Sequence, residues 1–293
     1  MNPVRDKNSE SSGSSMASVS NGVNVKYIDA HCHIQFEQYA QDDTELIERM
    51  REEGVAGIVV GVDMESSKKA IALVEKHDHL YASVGLHPNR VGQESFDEAA
   101  YRALATHPKV VAIGECGLDF FRPAEVNDDV KRAQKEILKK HIELAAELDK
   151  PLIIHARPSK GTMDAYYDLI EILKEEKARH PKLHGDIHFF VGGIPEMQAF
   201  VALGFTISFT AVITFARDYD AVIKAAPLAN ILSETDAPYL APASRRGERN
   251  DPLAAIEVVA KIAEIRGEPL EIVRVALLAN AARLFTLSDT EEI

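Results

Sequence analysis

Histidine and carboxylate residues stand at or just beyond the ends of several short apolar runs in this sequence. In chain order these residues are His31, His33, Glu115, His155, His188 and Asp236. Imidazole is a ligand for zinc and other borderline cations, and sites that mix imidazole with carboxylate also accept manganese or magnesium. Because residues two apart in a strand point to the same side, His31 and His33 can ligate one ion together. The set therefore predicts a metal site, and one bridging carboxylate would let it hold two divalent cations (Zn, Mg or Mn).

Each of these residues also has a structural interpretation when it is considered alone. A single histidine beside a strand is more often structural than functional, and an aspartate after a strand often caps a helix. Their joint placement favours a metal site, because imidazoles and carboxylates at the ends of so many buried strands are costly unless they are paired or bound to metal. We therefore expect the six side chains to meet at one rim.

The apolar runs alternate with segments of helical periodicity. Several runs, such as 57–61, 110–113 and 152–154, are almost continuously apolar, which is typical of strands buried on both faces of a parallel sheet. Eight strands separated by helices predict a TIM-type (β/α)8 barrel, whose functional groups collect at the carboxyl ends of the strands; a doubly wound open sheet is the alternative. The predicted strands are 25–30, 56–62, 80–86, 110–115, 151–155, 186–190, 205–209 and 230–234. The predicted helices include 44–53, 66–76, 129–148, 163–178, 218–225, 252–266 and 269–285.

The composition restricts the class of protein and of partner. The 293 residues carry 33 Lys plus Arg against 46 Asp plus Glu, and the net charge of −13 argues against a broad basic surface for nonspecific DNA coating. A nucleic-acid substrate would have to be held locally, in a cleft where metal ions supply positive charge. With only two cysteines, Cys32 and Cys116, a disulfide framework is not expected, and a cytoplasmic location is favoured. No apolar run approaches the length of about 18 residues that indicates a membrane helix.

The first residues differ in composition from the remainder of the chain. Residues 1–24 are rich in Ser, Asn and Gly and have no apolar segment of a secretory signal, so we interpret them as a disordered leader or a remnant of cloning. Residues 25–293 are predicted to form one domain, a barrel followed by C-terminal helices, because barrels of this kind often reach such a length.

Motifs around the same residues make the chain resemble the TatD family of metal-dependent deoxyribonucleases, within the amidohydrolase-like barrels. The resemblance covers nearly all of 27–287. Its motifs are His31-x-His33, Gly85-Leu-His-Pro88, Gly114-Glu-Cys-Gly-Leu-Asp119, Pro151-Leu-Ile-Ile-His155-x-Arg157, His188-Phe-Phe-Val-Gly192, Ile207-Ser-Phe-Thr-Ala-Val-Ile-Thr214, Glu234-Thr-Asp-Ala-Pro-Tyr239 and Arg245-Arg-Gly-Glu-Arg-Asn-Asp-Pro252. The resemblance implies a TIM-type barrel and hydrolysis of DNA, by several members as 3′→5′ exonucleases. The implied substrate is DNA, as single strands or 3′ ends.

The resemblance also implies how the ligands divide between two ions that share Glu115. The first ion would take His31, His33, Glu115 and Asp236, and the second would take Glu115, His155 and His188. Two such cations lower the pKa of a water and neutralise the phosphoryl and leaving oxygens of a phosphodiester. Asp236 would also accept the proton of the attacking water, since a carboxylate beside a cation stays ionised. Glu115 and Asp236 are therefore the predicted catalytic residues.

Basic residues near these motifs are candidates for substrate binding, because guanidinium groups bind phosphate bidentately. The candidates are Arg157, His87, Arg245, Arg246 and Arg249. Arg157 lies two residues beyond His155, whereas the arginines of 245–249 could equally form a solvated basic loop. His87 is predicted to face the same mouth of the barrel, where a substrate-side role and a turn role are both open.

The sequence departs from the family pattern in three places, none of which removes a proposed ligand. The segment after His188 reads Phe-Phe-Val-Gly instead of Cys-Phe-Ser or Thr-Gly. Pro158-Ser-Lys-Gly161 stands where an acidic residue commonly follows the arginine, and Asp251 replaces a glutamate. These departures concern substrate preference.

Two other functions are compatible with the same scaffold. The first is a hydrolase for a lactone, another ester or an amide, including the ester of a misacylated tRNA. Many amidohydrolases bridge their metals with a carbamylated lysine from the fourth strand, and Glu115 in that place favours the phosphodiesterase instead. The second is a barrel without catalysis that serves as a binding module, which predicts missing ligands.

Overall fold

The structure, a computed structural model, describes residues 24–122 and 126–287. Its sheet consists of eight short strands. They are β1 (Tyr27–Cys32), β2 (Val55–Val60), β3 (Leu80–Val84), β4 (Val110–Asp119), β5 (Leu152–Arg157), β6 (Gly185–His188), β7 (Thr206–Phe209) and β8 (Ile231–Ser233). Each of the eight predicted runs overlaps one of these strands, although five of the strands begin before or end beyond the predicted bounds. Of the predicted leader, residues 1–24, only Asn24 lies within the described residues.

Helices follow the strands along the chain and pack against them. They are α1 (Asp43–Glu53), α2 (Met64–Val74), α3 (Glu98–Ala105), α4 (Asp128–Leu148), α5 (Asp164–Arg179), α6 (Ile194–Ala202), α7 (Asp220–Ala225), α8 (Ala254–Arg266) and α9 (Leu270–Phe285). The helices α3 and α6, of eight and nine residues, are absent from the predicted helices named above. Within the described residues, no helix has both the length and the apolar character needed to cross a bilayer.

The strands are parallel and pair in chain order from β1 to β8. The sheet closes where the end of β1 meets the segment that follows β8. There the His33 N–H donates to the Ala237 carbonyl at 2.8 Å, and the Asp236 N–H donates to the His31 carbonyl at 2.9 Å. The predicted TIM-type (β/α)8 barrel is therefore confirmed, and the open sheet is excluded.

Both faces of the barrel sheet are buried, which explains the continuous apolar runs. In β2 all six residues are buried. Ala56, Ile58 and Val60 form one apolar cluster with residues of β1 and α9, whereas Val55 and Val59 belong to a larger cluster that includes residues of the surrounding helices. Burial on both faces fixes the positions of the strands. It therefore also fixes the position of the rim, from which the last residues of the strands project.

Candidate metal centre

The six predicted ligands lie together at the carboxyl ends of four strands and in the segment after β8. His31 is in β1 and His33 follows it directly, while Glu115, His155 and His188 belong to β4, β5 and β6. Asp236 lies three residues beyond β8 in the left-handed region, with a φ of 52°, a conformation that aspartate tolerates better than most residues. The closure of the barrel through its N–H brings Asp236 to the two histidines of β1.

One half of the cluster contains His31, His33 and Asp236. The Nε2 atoms of the two histidines are 3.2 Å apart. The Oδ1 atom of Asp236 lies 3.5 Å from the His33 Nε2 atom and 3.9 Å from the His31 Nε2 atom. Three ligand atoms converge at such short range on two buried histidines and one half-buried aspartate, and they form a group able to hold a metal ion.

The other half of the cluster contains His155 and His188, and Glu115 lies between the halves. The Oε1 atom of Glu115 is 3.0 Å from His155 Nδ1 and 3.4 Å from His188 Nε2. The Oε2 atom of the same carboxylate is 3.5 Å from His31 Nε2. Each oxygen of Glu115 thus faces a different set of histidines, which is the arrangement that a bridging ligand requires.

Hydrogen bonds on the far side of three imidazoles fix their orientation. The Nδ1 atom of His33 is 2.9 Å from the Val60 carbonyl, His155 Nε2 is 3.2 Å from Asp119 Oδ2, and His188 Nδ1 is 2.8 Å from Glu234 Oε2. Each acceptor selects the tautomer that leaves the inner nitrogen free to ligate a cation. This donor set, with its outer acceptors in place, fits divalent metal.

Sequence reasoning did not assign the supporting roles of Asp119 and Glu234. Both are fully buried and both lie in motifs that were recognised for their neighbours. The Glu234 carboxylate is itself held by the Phe189 N–H at 2.6 Å and by the Ser208 hydroxyl at 2.6 Å. The sequence signal that could have revealed these two residues is a second carboxylate in the same motif as a predicted ligand.

The charges of the cluster are coupled. Burial opposes ionisation of Glu115, but the charges of His87 and His31 and hydrogen bonds from His155 and His188 bring the pKa of Glu115 well below its usual range. Burial lowers the pKa of His188, yet the charges of Glu234 and Glu115 outweigh it and raise this pKa well above its usual value. The pKa of His155 is raised in the same way by Asp119 and Glu115. The acids are therefore ionised, and positive charge is needed between them.

His87 belongs to the centre but has the wrong tautomer for a metal ligand. Its Nδ1 atom accepts the Asn89 N–H at 3.0 Å, so a neutral His87 carries its proton on Nε2. That Nε2 atom is 3.3 Å from Glu115 Oε1 and donates to it. His87 lines the cleft above the centre, which is compatible with its predicted substrate-side role.

The centre lies at the bottom of a cleft of about 1620 Å³. Arg157, a predicted substrate-binding residue, lines this cleft, and its guanidinium lies 4.4 Å from the centroid of the Phe121 ring. The aromatic residues Phe121, Tyr167 and Tyr239 also line the cleft. They are 47%, 57% and 46% exposed, respectively.

The other three predicted arginines are not among the residues that line the cleft. Arg245 forms an ion pair with Asp251, with 2.6 Å between the Nη1 and Oδ2 atoms. Arg249 pairs with Asp42, and the guanidinium of Arg246 lies 3.8 Å from the centroid of the Phe215 ring. Their part in substrate binding stays a prediction.

Comparison with known protein families gives one match across almost the whole barrel. Residues 28–286 match the family described as TatD related DNase. A relative from Bacillus subtilis, the uncharacterized metal-dependent hydrolase YabD, is 37% identical over 264 residues, which cover 89% of this chain and 99% of that protein. The 3′-5′ ssDNA/RNA exonuclease TatD of Erwinia tasmaniensis is 34% identical over 261 residues, covering 85% of this chain and 96% of that protein.

Solved structures agree with the sequence comparison. The crystal structure of YjjV, a TatD homologue from Escherichia coli, superposes with a TM-score of 0.80 at 32% identity. The superposition covers 90% of this chain and 99% of the other.

Proposed function

The chain belongs to the family of TatD related DNases, and from that premise we propose that it is a deoxyribonuclease that degrades single-stranded DNA from its 3′ end. The family match confirms the resemblance that the motifs indicated, and the chain is a metal-dependent hydrolase of the TatD type. The substrate, the use of two ions and the residue roles below belong to the proposal, as does a cytoplasmic location.

The observation that carries the proposal is the position of Glu115. Its two carboxylate oxygens face two separate sets of histidines, at 3.0 to 3.5 Å. A carboxylate in this position can bridge two divalent cations and set the distance between them. His31, His33 and Asp236 would complete one ion's ligands, and His155 and His188 those of the other.

When bound, a pair of cations activates a water for attack and neutralises the phosphoryl and leaving oxygens. The residues of the chain supply the rest. Burial opposes ionisation of Asp236, but the hydrogen bond from His33 and the charges of the nearby histidines lower its pKa, so this carboxylate is ionised and able to accept a proton. The Nε2–H of His87 restrains Glu115 from the cleft side, and Arg157 is placed to bind a phosphate oxygen.

The choice of a nucleic-acid substrate is supported by two observations. A relative 34% identical to this chain is named as a 3′-5′ ssDNA/RNA exonuclease. The cleft above the centre also combines exposed aromatic rings with basic side chains, which is the combination that single-stranded nucleic acids require.

The test is digestion of single-stranded DNA carrying a label at either the 5′ or the 3′ end, with metal-stripped protein and with Mg²⁺, Mn²⁺ or Zn²⁺ added back. We expect release of mononucleotides from the 3′ end that stops with chelator. Glu115→Gln should bind less metal and lose activity, whereas Glu136→Gln, at an exposed position of α4, should behave as the wild type.

Three results would contradict the proposal in different ways. Bound metal with inert DNA but cleavage of lactones, carboxylic esters or aminoacyl-tRNA would indicate the alternative hydrolase. A protein that takes up no metal would indicate a binding module. Full metal content and turnover in Glu115→Gln would remove the bridging role.

A further inference from the structure

The Ser159 hydroxyl donates to the Phe120 carbonyl at 3.2 Å and joins the segments at the ends of β4 and β5. These segments carry three basic side chains of the cleft, which we call the basic wall: Arg122, Arg157 and Lys160. All three line the cleft, and within the described parts of the chain none has a carboxylate partner. Arg90, another basic residue of the cleft, differs because it faces Asp63 at 3.5 Å. Three unpaired cations at one site are notable in a chain whose net charge is −13.

The loop that carries Lys160 is held in place by its own hydrogen bonds. Asp164 accepts the N–H of Ser159 at 2.9 Å, the Ser159 hydroxyl at 2.8 Å and the Thr162 hydroxyl at 2.9 Å. Lys131 pairs with the same carboxylate at 2.8 Å. The nearby acid is therefore satisfied inside the loop, and the exposed Lys160 is left at its tip without a partner among the described residues.

Aromatic surface lies beside these cations. Phe121 is 47% exposed, and Arg157 lies over its ring at 4.4 Å. Tyr167, on α5, is 57% exposed in the same cleft. An aromatic ring offers any nucleobase a stacking surface, and arginine adds a planar cation to it.

We propose that the basic wall with Phe121 and Tyr167 forms a second nucleotide subsite, distinct from the metal centre. It would bind the phosphate next to the reacting phosphodiester through Arg122, Arg157 and Lys160, and stack the attached base on an aromatic ring. The inference rests on the proposed nuclease function and deepens it, because such a subsite is filled only by a strand with more than one phosphate.

The wild type and an Arg122→Gln/Lys160→Gln double variant provide the test. The hydrolysis readout is the ratio of kcat/KM for oligothymidylate to kcat/KM for thymidylyl-thymidine, which has a single phosphodiester. The binding readout is the anisotropy of a fluorescent oligothymidylate at several salt concentrations, with EDTA present. Lys140→Gln, at an exposed position of α4 outside the cleft lining, is the control.

We expect the double variant to lower the kcat/KM ratio and to raise Kd, each about tenfold, and the slope of log Kd against log salt to fall by about 0.7 for each lost phosphate contact. Lys140→Gln should change none of these quantities. Phe121→Ala should weaken binding without changing the salt slope, because stacking displaces no counterions.

Failure of the subsite is distinguishable from failure of the proposed function. If the wild type does not hydrolyse DNA but binds the oligonucleotide with the predicted dependence on the basic wall, the nuclease proposal fails and the subsite stands. If the wild type cleaves DNA and the double variant keeps its ratio and its Kd, the subsite is wrong. An equal loss on both substrates, or a wild type that does not bind the oligonucleotide, overturns the subsite as well.

Discussion

At the scale of single residues, the centre depends on carboxylates outside the predicted ligand set. Asp119 illustrates this, because its Oδ2 atom lies 3.2 Å from His155 Nε2 while its Oδ1 atom accepts the N–H groups of Phe121 and Arg122 at 2.9 and 2.8 Å. A neutral His155 therefore carries its proton on Nε2, and Nδ1 is left for a cation. The carboxylate determines which nitrogen can ligate.

Replacing Asp119 with Asn should reverse that choice. The amide oxygen would keep the two backbone N–H groups, so the NH2 group would face His155 and the Asn89 amide, which now donates to Oδ2 at 3.1 Å. The Asn89 amide would turn its oxygen towards the new NH2 group, and the imidazole proton of His155 would move onto the inner Nδ1 atom. We expect metal affinity to fall about 10–100-fold with a nearly unchanged far-UV circular dichroism spectrum. Titration calorimetry with Mn²⁺ or Zn²⁺ measures the affinity.

The matched control is Asp97→Asn at the start of α3, where the side chain caps the helix by accepting the Ala100 N–H and asparagine caps equally well. It should bind metal as the wild type does. Unchanged affinity in Asp119→Asn would show that the tautomer of His155 is set by another group.

The meeting of the six predicted ligands could be predicted from sequence because each lies at or just beyond the end of an apolar run, and strand ends converge in a barrel. The ion pairs of Arg245 with Asp251 and of Arg249 with Asp42 could not be predicted, because only the fold makes these side chains neighbours. Conversely, Arg122 and Lys160 carry no motif, and only the cleft shows that they face one space.

At the scale of elements, β4 is longer than its apolar pattern indicated. The predicted strand ended at Glu115, but β4 continues to Asp119 alongside β5. Gly117 makes this possible, since its φ is 138° and a Cβ there would collide with the His155 carbonyl oxygen. The extension brings the Asp119 carboxylate to the His155 ring.

Gly117→Ala should therefore disturb the fold and the centre together. The variant combines an unfavourable φ with a collision against backbone, and we expect a loss above about 3 kcal/mol of unfolding free energy and weaker metal binding. Urea denaturation measures the loss. Gly267→Ala is the control, because its φ of 67° is also positive but no atom lies within 4 Å of the added Cβ. It should lose only about 1–2 kcal/mol, and equal losses in the two variants would show that the collision is relieved without cost.

A buried histidine connects α4 to the end of β3. The Nε2 atom of His141 accepts the Leu86 N–H at 2.9 Å, and its Nδ1–H donates to the Ile137 carbonyl at 2.8 Å. Both nitrogens are used by the neutral form, and burial lowers the pKa of His141 to about 4. This contact anchors the backbone directly before His87.

The stability of the protein should consequently decrease in mild acid. The unfolded chain takes up a proton at this histidine near pH 6.5 and the folded chain only near pH 4, so stability is lost as pH falls between these values. The contribution of His141 is about 3 kcal/mol. His79, whose pKa burial also lowers to about 4, adds to it. In His141→Gln we expect lower stability at pH 7.5 and a flatter decline between pH 6.5 and 4 in denaturant titrations. A decline as steep as in the wild type would exclude His141 as a source.

At the scale of the whole molecule, contacts between the first strand and the end of the last strand close the barrel. The closed barrel holds the acidic centre. The alternation of apolar runs and helical segments was enough to predict this architecture, because burial on both faces leaves the strands no other pattern. The short helices α3 and α6 were not predicted, because their packing on the barrel determines them more than periodicity does. Closure has a functional consequence, because Asp236 reaches His33 only through it.

Metal binding should therefore stabilise the entire barrel, by about 2.7 kcal/mol when free metal is a hundredfold above Kd. The size of the effect should depend on pH in a defined direction. In the metal-free chain, Glu234 and Glu115 raise the pKa of His188, and Asp119 and Glu115 raise that of His155. Protonation of these two histidines stabilises the metal-free fold at pH below the unfolded value of about 6.5, and this stabilisation is lost as pH rises through the raised pKa values.

Protons and metal thus compete for the same nitrogens, and metal gains as pH rises. We expect the increase in Tm on adding Mn²⁺ or Zn²⁺ to be larger at pH 8 than at pH 6, and protons to be released on binding, which calorimetry in buffers of different ionisation enthalpy detects. Glu115→Gln should lose most of the Tm increase at both pH values, whereas Glu136→Gln on α4 should retain it. A metal-induced Tm increase that is equal at the two pH values would mean that His155 and His188 are already neutral without metal. Their carboxylate partners would then bind them as neutral donors, and the centre would need no proton release to accept a cation.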